Sequence, residues 1–249
     1  MKLKKIVLKF TLLLLLVSNL ISNVAAINYN IGVQRDQELV WKCKLCNENE
    51  MDNIFGNNWD ASGIFQNLSK GTKMKWKITD TEYNEIYLKI NFSIWIWTSR
   101  KIWGDKDNDS QMIYFSNPKN YPQGWNFSND TSFVPFWFPI PIGDYLASLS
   151  LNEWYDVDNR VLPTLNVEIK ENAVLPGVPL KDIKIITIYN DQGILSSYKL
   201  YINENVVIID IAFEFIPIYV IPTLIGLICV LTLSIIIYIT KKRKFVKRK

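Results

Sequence analysis

Few residues of this chain can carry catalytic chemistry, because its 249 residues include no histidine. This excludes Ser-His-Asp and Cys-His nucleophilic catalysis and the common metal sites that contain histidine. An enzyme would have to use carboxylates, lysine, tyrosine or cysteine. The carboxylate pair of a glycoside hydrolase would come from Glu153, Asp156, Asp158 and Asp105, whose spacing demonstrates no pair at catalytic separation.

Cys43 and Cys46 form a C-x-x-C pair after the strand-like run 39–42. A redox-active pair normally opens a helix, and a zinc knuckle needs more ligands than this part of the chain offers. We expect a structural disulfide. Residues three apart in a straight strand are about 10 Å apart, beyond the ~7 Å Cα limit of a disulfide, so the bridge requires a turn at 44–45.

An acidic run contains Asp105, Asp107 and Asp109 and is similar to a calcium-binding loop. It has Ser110 where such a loop needs glycine and Ser116 where it needs its closing glutamate. The run is more typical of a solvated hairpin turn. We therefore predict no metal ion there, and no cofactor elsewhere in the chain.

Aromatic residues are abundant, with nine Trp, twelve Tyr and twelve Phe. Period-two alternation predicts a strand over 86–97 with one aliphatic face. Its other face and the residues just beyond carry four candidate ligand-contacting rings, Tyr87, Trp95, Trp97 and Trp103. Exposed rings stack on sugars or line apolar pockets. We favour the plainer interpretation, in which a helix near Tyr145 or the apolar loop 133–139 buries this face.

These residues belong to a predicted β-rich domain over 27–215. Alternation and turn signals predict eight strands, over 38–43, 73–79, 86–97, 111–116, 164–170, 183–189, 194–202 and 206–215. The last strand is expected to point four side chains inward, those of Val207, Ile209, Ile211 and Phe213. One short helix is predicted around 143–151. This order predicts a mainly β fold, either an antiparallel β-sandwich or a curved half-barrel with the helix against it.

Both ends of the chain have the features of membrane targeting. Residues 1–26 combine early lysines, a short Leu-rich apolar run and small residues before position 27, which predicts a cleaved signal peptide. Residues 216–240 carry no charge over 25 positions, enough for one transmembrane helix, and 241–249 carry seven basic residues. The positive tail predicts a cytoplasmic C-terminus and an outer domain at the cell surface. The lipid bilayer is thus an expected partner.

The charge of the outer domain is opposite in sign to that of the whole chain, which is +4. Of 28 basic residues, four lie in 1–26 and seven in 241–249, which leaves 17 against 24 acidic ones, a net charge of −7 for 27–215. An acidic surface argues against nucleic acid as a partner, because phosphate binding needs clustered cations.

Five Asn-x-Ser/Thr triplets are candidate glycosylation sites, at Asn67, Asn91, Asn108, Asn126 and Asn129. All five lie in the predicted outer domain. The closeness of the last two makes full occupancy of both unfavourable.

The layout resembles that of uncharacterised archaeal-type single-pass cell-surface proteins. The resemblance rests on the run 215–219, the basic run 241–249 and the hairpin 189–195. In some such proteins a Pro-Gly-Phe tripeptide before the helix marks it for removal. This chain has Ile216-Pro217-Ile218 there, which favours permanent anchoring. The resemblance implies no particular activity.

Three functions remain open from the sequence. The first is a non-enzymatic surface module that binds an apolar ligand, a glycan or neighbouring envelope proteins. The second is an extracytoplasmic hydrolase that uses carboxylates. The third is an accessory subunit of a membrane complex, with Gly226 and Ser234 as helix-packing points.

Overall fold

The computed structural model describes residues 28–61, 63–97, 100, 102–127, 132–170, 181–203, 205–214, 227–228, 230–232 and 234. The predicted signal peptide, the basic tail, Cys229, Gly226 and most of 216–240 lie outside these residues. Within the described part, no helix is long and apolar enough to cross a membrane.

Nine strands form one antiparallel sheet in the order β4-β3-β2-β1-β9-β8-β7-β6-β5. Their bounds are Glu38–Cys46 (β1), Lys73–Tyr83 (β2), Tyr87–Ile96 (β3), Asn108–Phe115 (β4), Tyr155–Asp158 (β5), Thr164–Ile169 (β6), Ile183–Tyr189 (β7), Leu195–Ile202 (β8) and Val206–Phe213 (β9). Two α-helices span Glu48–Phe55 (α1) and Ile142–Ser148 (α2), and 3-10 turns span Gly63–Phe65 and Pro118–Asn120. The prediction of a mainly β, antiparallel domain is confirmed.

The alternation read from the sequence matches the inner face of the sheet in β2 and β3. Every second residue is buried over 74–78 and 88–92, among them Trp76, Leu88 and Phe92, whereas Ile94 is only partly buried. Ile86, predicted to open the apolar face of β3, is 65% exposed. It lies in the β2–β3 turn, where the Asn84 side chain accepts hydrogen bonds from the backbone N–H groups of Ile86 and Tyr87.

The inward face of β9 was predicted with one error. Ile209 and Ile211 are buried as expected, but Val207 is partly exposed and Ile208 is fully buried. The β8–β9 pairing shifts register between Leu200 and Tyr201. Such an irregularity changes which side chains face inward, and period-two alternation cannot anticipate it.

A buried segment, 132–140, packs against the inner face of the sheet. Its side chains include the fully buried rings of Phe136, Trp137 and Phe138. Tyrosine hydroxyls from four strands donate to its carbonyl oxygens over 2.8–3.3 Å: Tyr114 to Trp137, Tyr155 to Phe133, Tyr189 to Pro135 and Tyr198 to Ser132. The hydroxyls thus satisfy polar groups that burial would otherwise leave unpaired.

These contacts require the sheet to curl. In a flat sheet, the edge strands β4 and β5 would be about 38 Å apart, at about 4.8 Å per strand. Yet the hydroxyl of Tyr114 in β4 donates to the carbonyl of Trp137, and that of Tyr155 in β5 donates to the carbonyl of Phe133. These two carbonyls are only four residues apart. Four residues of chain reach at most about 14 Å. Both edges therefore bend towards the buried segment.

The buried tyrosines predict a loss of stability at alkaline pH. Burial raises the pKa of Tyr155 to about 12, and it also raises the pKa of Tyr114 and Tyr189. An unfolded tyrosine titrates near 10, so this stabilisation is complete below pH 10 and is lost as pH rises through the folded pKa values. We expect the free energy of unfolding to fall by about 1.4 kcal/mol per pH unit for each such tyrosine above pH 10. Urea unfolding of the full chain in detergent at pH 9 and pH 11 measures this, and equal stabilities would contradict it.

Candidate functional site

An apolar cleft of about 370 Å³ lies beside strand β4. Its volume is within the range of small-molecule and peptide pockets. The residues that line it are mostly apolar or aromatic: Ile64, Gln111, Met112, Ile113, Tyr114, Tyr121, Trp125, Asn126, Phe127, Val134 and Pro135.

The cleft runs along the edge of β4 and not over one of its faces. It touches Gln111, Met112, Ile113 and Tyr114, four consecutive residues of the strand. Successive side chains of a strand point to opposite faces. A cleft in contact with all four must therefore follow the open edge of the strand.

The backbone of β4 is unpaired along part of this edge. The Ser116 N–H donates to the Ile86 carbonyl, next to the start of β3. In an antiparallel pair, the residues of a strand alternate between bonding to the neighbouring strand and facing away from it. Counted back from Ser116, the N–H and C=O groups of Gln111 and Ile113 therefore face away from β3. Nothing in the described part of the chain bonds to these groups. At Phe115, farther along β4, the outward-facing backbone groups already have partners. Its N–H donates to the Tyr121 hydroxyl, and its carbonyl accepts from the Tyr145 hydroxyl.

A loop fixes the aromatic wall of the cleft. The Tyr121 and Trp125 rings are 4.9 Å apart, and Phe127 contacts Phe138 and Tyr155 at 5.4 and 5.5 Å. Trp125 N–H donates to Ser150. Sequence reasoning missed these three rings, because they lie outside any periodic element. Their only signal was the density of aromatic residues between β4 and α2.

Trp95, Trp97 and Trp103 form a cluster with Lys73 and Lys75 on the outer face of the sheet. The Lys75 amino group lies 4.6 Å from the Trp95 ring centroid and 5.3 Å from that of Trp103, and Lys73 lies 5.1 Å from that of Trp97. The expectation that a helix or loop 133–139 buries this face is wrong. Both pack on the inner face instead, where Phe136 contacts Trp41 and Trp76.

Tyr87 is separate from this tryptophan–lysine cluster. It lies eight residues before Trp95 on β3, about 27 Å away along an extended strand. Its hydroxyl bonds to Glu82 over 3.3 Å. The four rings proposed from the sequence are therefore not one surface.

The structure has Cys43 and Cys46 as free thiols, and the disulfide stays a prediction. The β1–β9 register shifts between Cys43 and Leu45, which is where the sequence required an irregularity. The side-chain hydrogen bond with Cys43, together with burial, raises the pKa of the Cys46 thiol. A protonated thiol is a poor nucleophile, so Cys46 is not activated for nucleophilic attack.

The acidic run contributes to the β3–β4 hairpin. Asp107 accepts from the backbone N–H of Ile96, and Asp109 accepts from Ser93 and Lys106. Asp105 is exposed. No group of three potential metal ligands occurs among the residues that the structure places.

The carboxylates proposed for a hydrolase lie outside the cleft. Glu153 and Asp156 are exposed, and Asp105 lies in the β3–β4 turn. Hydrogen bonds from Arg160 lower the pKa of Asp158 to about 2, so that it is ionised at neutral pH and cannot act as a general acid.

The glycosylation candidates differ in accessibility. Asn67 and Asn108 are exposed, whereas Asn91 is half-buried within β3. Asn126 is half-buried and lines the cleft. Asn129 lies outside the described residues.

Comparison with known proteins gives the chain no relative: no family model matches it, and neither curated proteins nor solved structures yield a match.

Proposed function

We propose that this chain is a single-pass, membrane-anchored surface protein whose outer domain binds an extended polypeptide segment of a neighbouring envelope protein. In this proposal the domain is a curved half-barrel, residues 216–240 form the transmembrane helix, and 241–249 stay in the cytoplasm. The membrane assignment rests on the sequence: the uncharged run of 25 residues and the seven basic residues that follow.

The observation that carries the binding role is the coincidence of an open edge and an apolar cleft at β4. Edge strands with unpaired N–H and C=O groups bind extended peptides by strand addition, and adjacent pockets select alternate side chains. Here Gln111 and Ile113 offer the backbone groups. Trp125, Phe127 and Val134 offer the apolar wall.

The tryptophan–lysine cluster supports glycan binding less well. Sugars stack on ring faces, but the Lys75 amino group already lies over Trp95 and Trp103. Lys75 is held there by Glu38, 3.2 Å away. The cluster is thus better explained as a stabilising arrangement of the outer face.

Substitution of Ile113 tests the proposal. Ile113→Pro removes the N–H that a docked strand would bond, and β4 tolerates proline there because this N–H faces away from β3. The probe is a fluorescent heptapeptide of alternating threonine and valine, added to the full chain in detergent. We expect Ile113→Pro to weaken its binding at least about tenfold, as measured by fluorescence anisotropy.

The matched control is Ile113→Val, which keeps both the N–H and an apolar side chain and should bind the peptide like the natural chain. Equal binding by Ile113→Pro and Ile113→Val would refute strand addition. Peptide binding that depends on Trp103 and not on Ile113 would move the site to the outer face.

A further inference from the structure

We propose that two hairpin tips of the outer domain, Tyr83–Ile86 and Asn159–Pro163, rest in the interfacial region of the bilayer beside the membrane helix. This inference depends on the membrane anchoring proposed above. It adds a second, peripheral lipid contact that holds the domain at a fixed orientation over the membrane.

Both tips lie at the end of the sheet towards which β9 runs. β9 is antiparallel to β1 and β8, so β2, β5 and β7 run in the same direction as β9 across the sheet. The β2–β3 and β5–β6 turns are therefore at the end where the chain leaves β9. The described part of the outer domain ends at Glu214, two positions before the uncharged segment begins.

The pairing register shows how far the β5–β6 tip and the end of β9 extend along the strand direction. Directly paired residues form one row across five strands: Asp158, Thr164, Ile188, Ser197 and Ala212. The turn after Asp158 extends two or three residues beyond the row, about 7–10 Å. β9 continues beyond the same row through Phe213 and Glu214. Measured along the strand direction, this tip and Glu214 are thus level to within about 3 Å.

The β2–β3 tip extends farther. Lys42 of β1 pairs with both Lys73 of β2 and Ala212 of β9, so Lys73 lies in the same row as Ala212. Tyr83 follows Lys73 by ten residues along β2, with one register shift against β3. It therefore reaches about 20 Å beyond the other tip along the strands. The two turns are six strand spacings apart, about 29 Å in a flat sheet. A strand tilt of about 35°, common in strongly curled sheets, brings both tips to one plane. That plane lies about 12 Å beyond Glu214, a distance that about four extended residues cover.

The tips expose apolar side chains that water does not favour. Val161 is 90% exposed and Leu162 52%, and in the other tip Ile86 is 65% and Tyr83 59% exposed. Aliphatic and tyrosine side chains are those that membrane interfaces accept.

Each tip is held in shape by its own hydrogen bonds. Arg160 donates to Asp158 through its backbone and its guanidinium group. Pro163 accepts from Tyr189 N–H over 2.9 Å. Asn84 holds the other turn. Rigid turns lose little conformational freedom when they insert.

The charge of this end selects the lipid. Glu82, Glu85, Asp156 and Asp158 lie near the tips, where Glu82 pairs with Lys89 and Asp158 pairs with Arg160. Glu85 and Asp156 add negative charge beside the tips that the two ion pairs do not balance, which disfavours anionic headgroups. The partner is therefore a zwitterionic or neutral lipid surface, contacted through its apolar boundary.

Photo-crosslinking of the full chain in phosphatidylcholine vesicles tests the inference. The photoreactive residue is introduced as Val161→p-benzoylphenylalanine or, for the second tip, as Ile86→p-benzoylphenylalanine. The control is Val206→p-benzoylphenylalanine, because Val206 is also a valine, 50% exposed, and lies at the opposite end of the sheet. We expect lipid adducts, detected by mass spectrometry, at least about tenfold more abundant at positions 161 and 86 than at 206.

Flotation of the same vesicles after carbonate extraction separates this inference from the anchoring itself. If the chain floats and positions 161 and 86 crosslink lipid no more than position 206, the anchor stands and the tip contact is wrong. If the chain does not float, the anchoring fails and the tip contact falls with it.

Discussion

Replacement of Phe92 by alanine should lower the free energy of unfolding by about 3–5 kcal/mol. Phe92 is 2% exposed, and its ring stacks on Trp76 with centroids 4.0 Å apart. Trp76 in turn contacts Phe136 of the buried segment at 5.9 Å. Alanine would leave a cavity where the sheet and this segment meet. Urea unfolding of the full chain in detergent, followed by near-ultraviolet circular dichroism, measures the loss.

The control for this prediction lies on the same strand. Trp95→Ala removes a larger ring from the outer face, where Trp95 is only half-buried beneath Lys75. It should cost only about 1–2 kcal/mol, because solvent already reaches the ring. Equal losses for Phe92→Ala and Trp95→Ala would mean that both faces of β3 are core.

Substitution of Gly193 should have the second large effect. Gly193 adopts a φ of +77°, and an added Cβ would overlap the carbonyl oxygen of Phe138 in the buried segment. The backbone conformation alone costs an alanine about 1–2 kcal/mol, and displacement of the packed segment adds about 1–3 kcal/mol. We expect Gly193→Ala to destabilise the chain by about 2–5 kcal/mol in the same unfolding measurement.

Gly124→Ala separates these two contributions. Gly124 has a similar φ of +71°, but no atom lies within 4 Å of the added Cβ. It should therefore show the backbone cost alone. If Gly193→Ala and Gly124→Ala destabilise equally, the segment does not pack against the β7–β8 turn as the structure has it.

Eight of the nine strands were predictable because a half-buried strand repeats its burial every second residue. The ninth, β5, spans only the four residues Tyr155–Asp158, too few to show the repeat. Met74, Trp76 and Ile78 are buried as their spacing indicates. The helix near Tyr145 was predicted from a different repeat, because Tyr145, Leu146 and Leu149 share one face at helical spacing. Periodicity is a local property, however, and it identifies two faces without showing which one a distant segment covers. Loop 133–139 was thus assigned to the Trp95 face, whereas Phe136 packs against Trp76.

The candidate site was less predictable than the strands. The cleft depends on the position of β4 at the edge of the sheet, which follows from pairing between distant strands. Its wall consists of Tyr121, Trp125 and Phe127, brought together by a loop without periodicity. Trp95, Trp97 and Trp103, three of the candidate rings from the sequence, do form a cluster, but lysine amino groups lie over them. Alternation along β3 cannot show that Lys73 and Lys75 of β2 lie over these rings.

Amide hydrogen exchange tests the proposed binding role most directly. The alternating threonine–valine heptapeptide is added to the full chain, and exchange of each backbone N–H is followed with and without it. Strand addition predicts new protection at Gln111 and Ile113, whose N–H groups face outward, and little change at Phe115, whose N–H already donates to Tyr121. Protection confined to Trp95, Trp97 and Trp103, with Gln111 and Ile113 unchanged, would contradict the proposal.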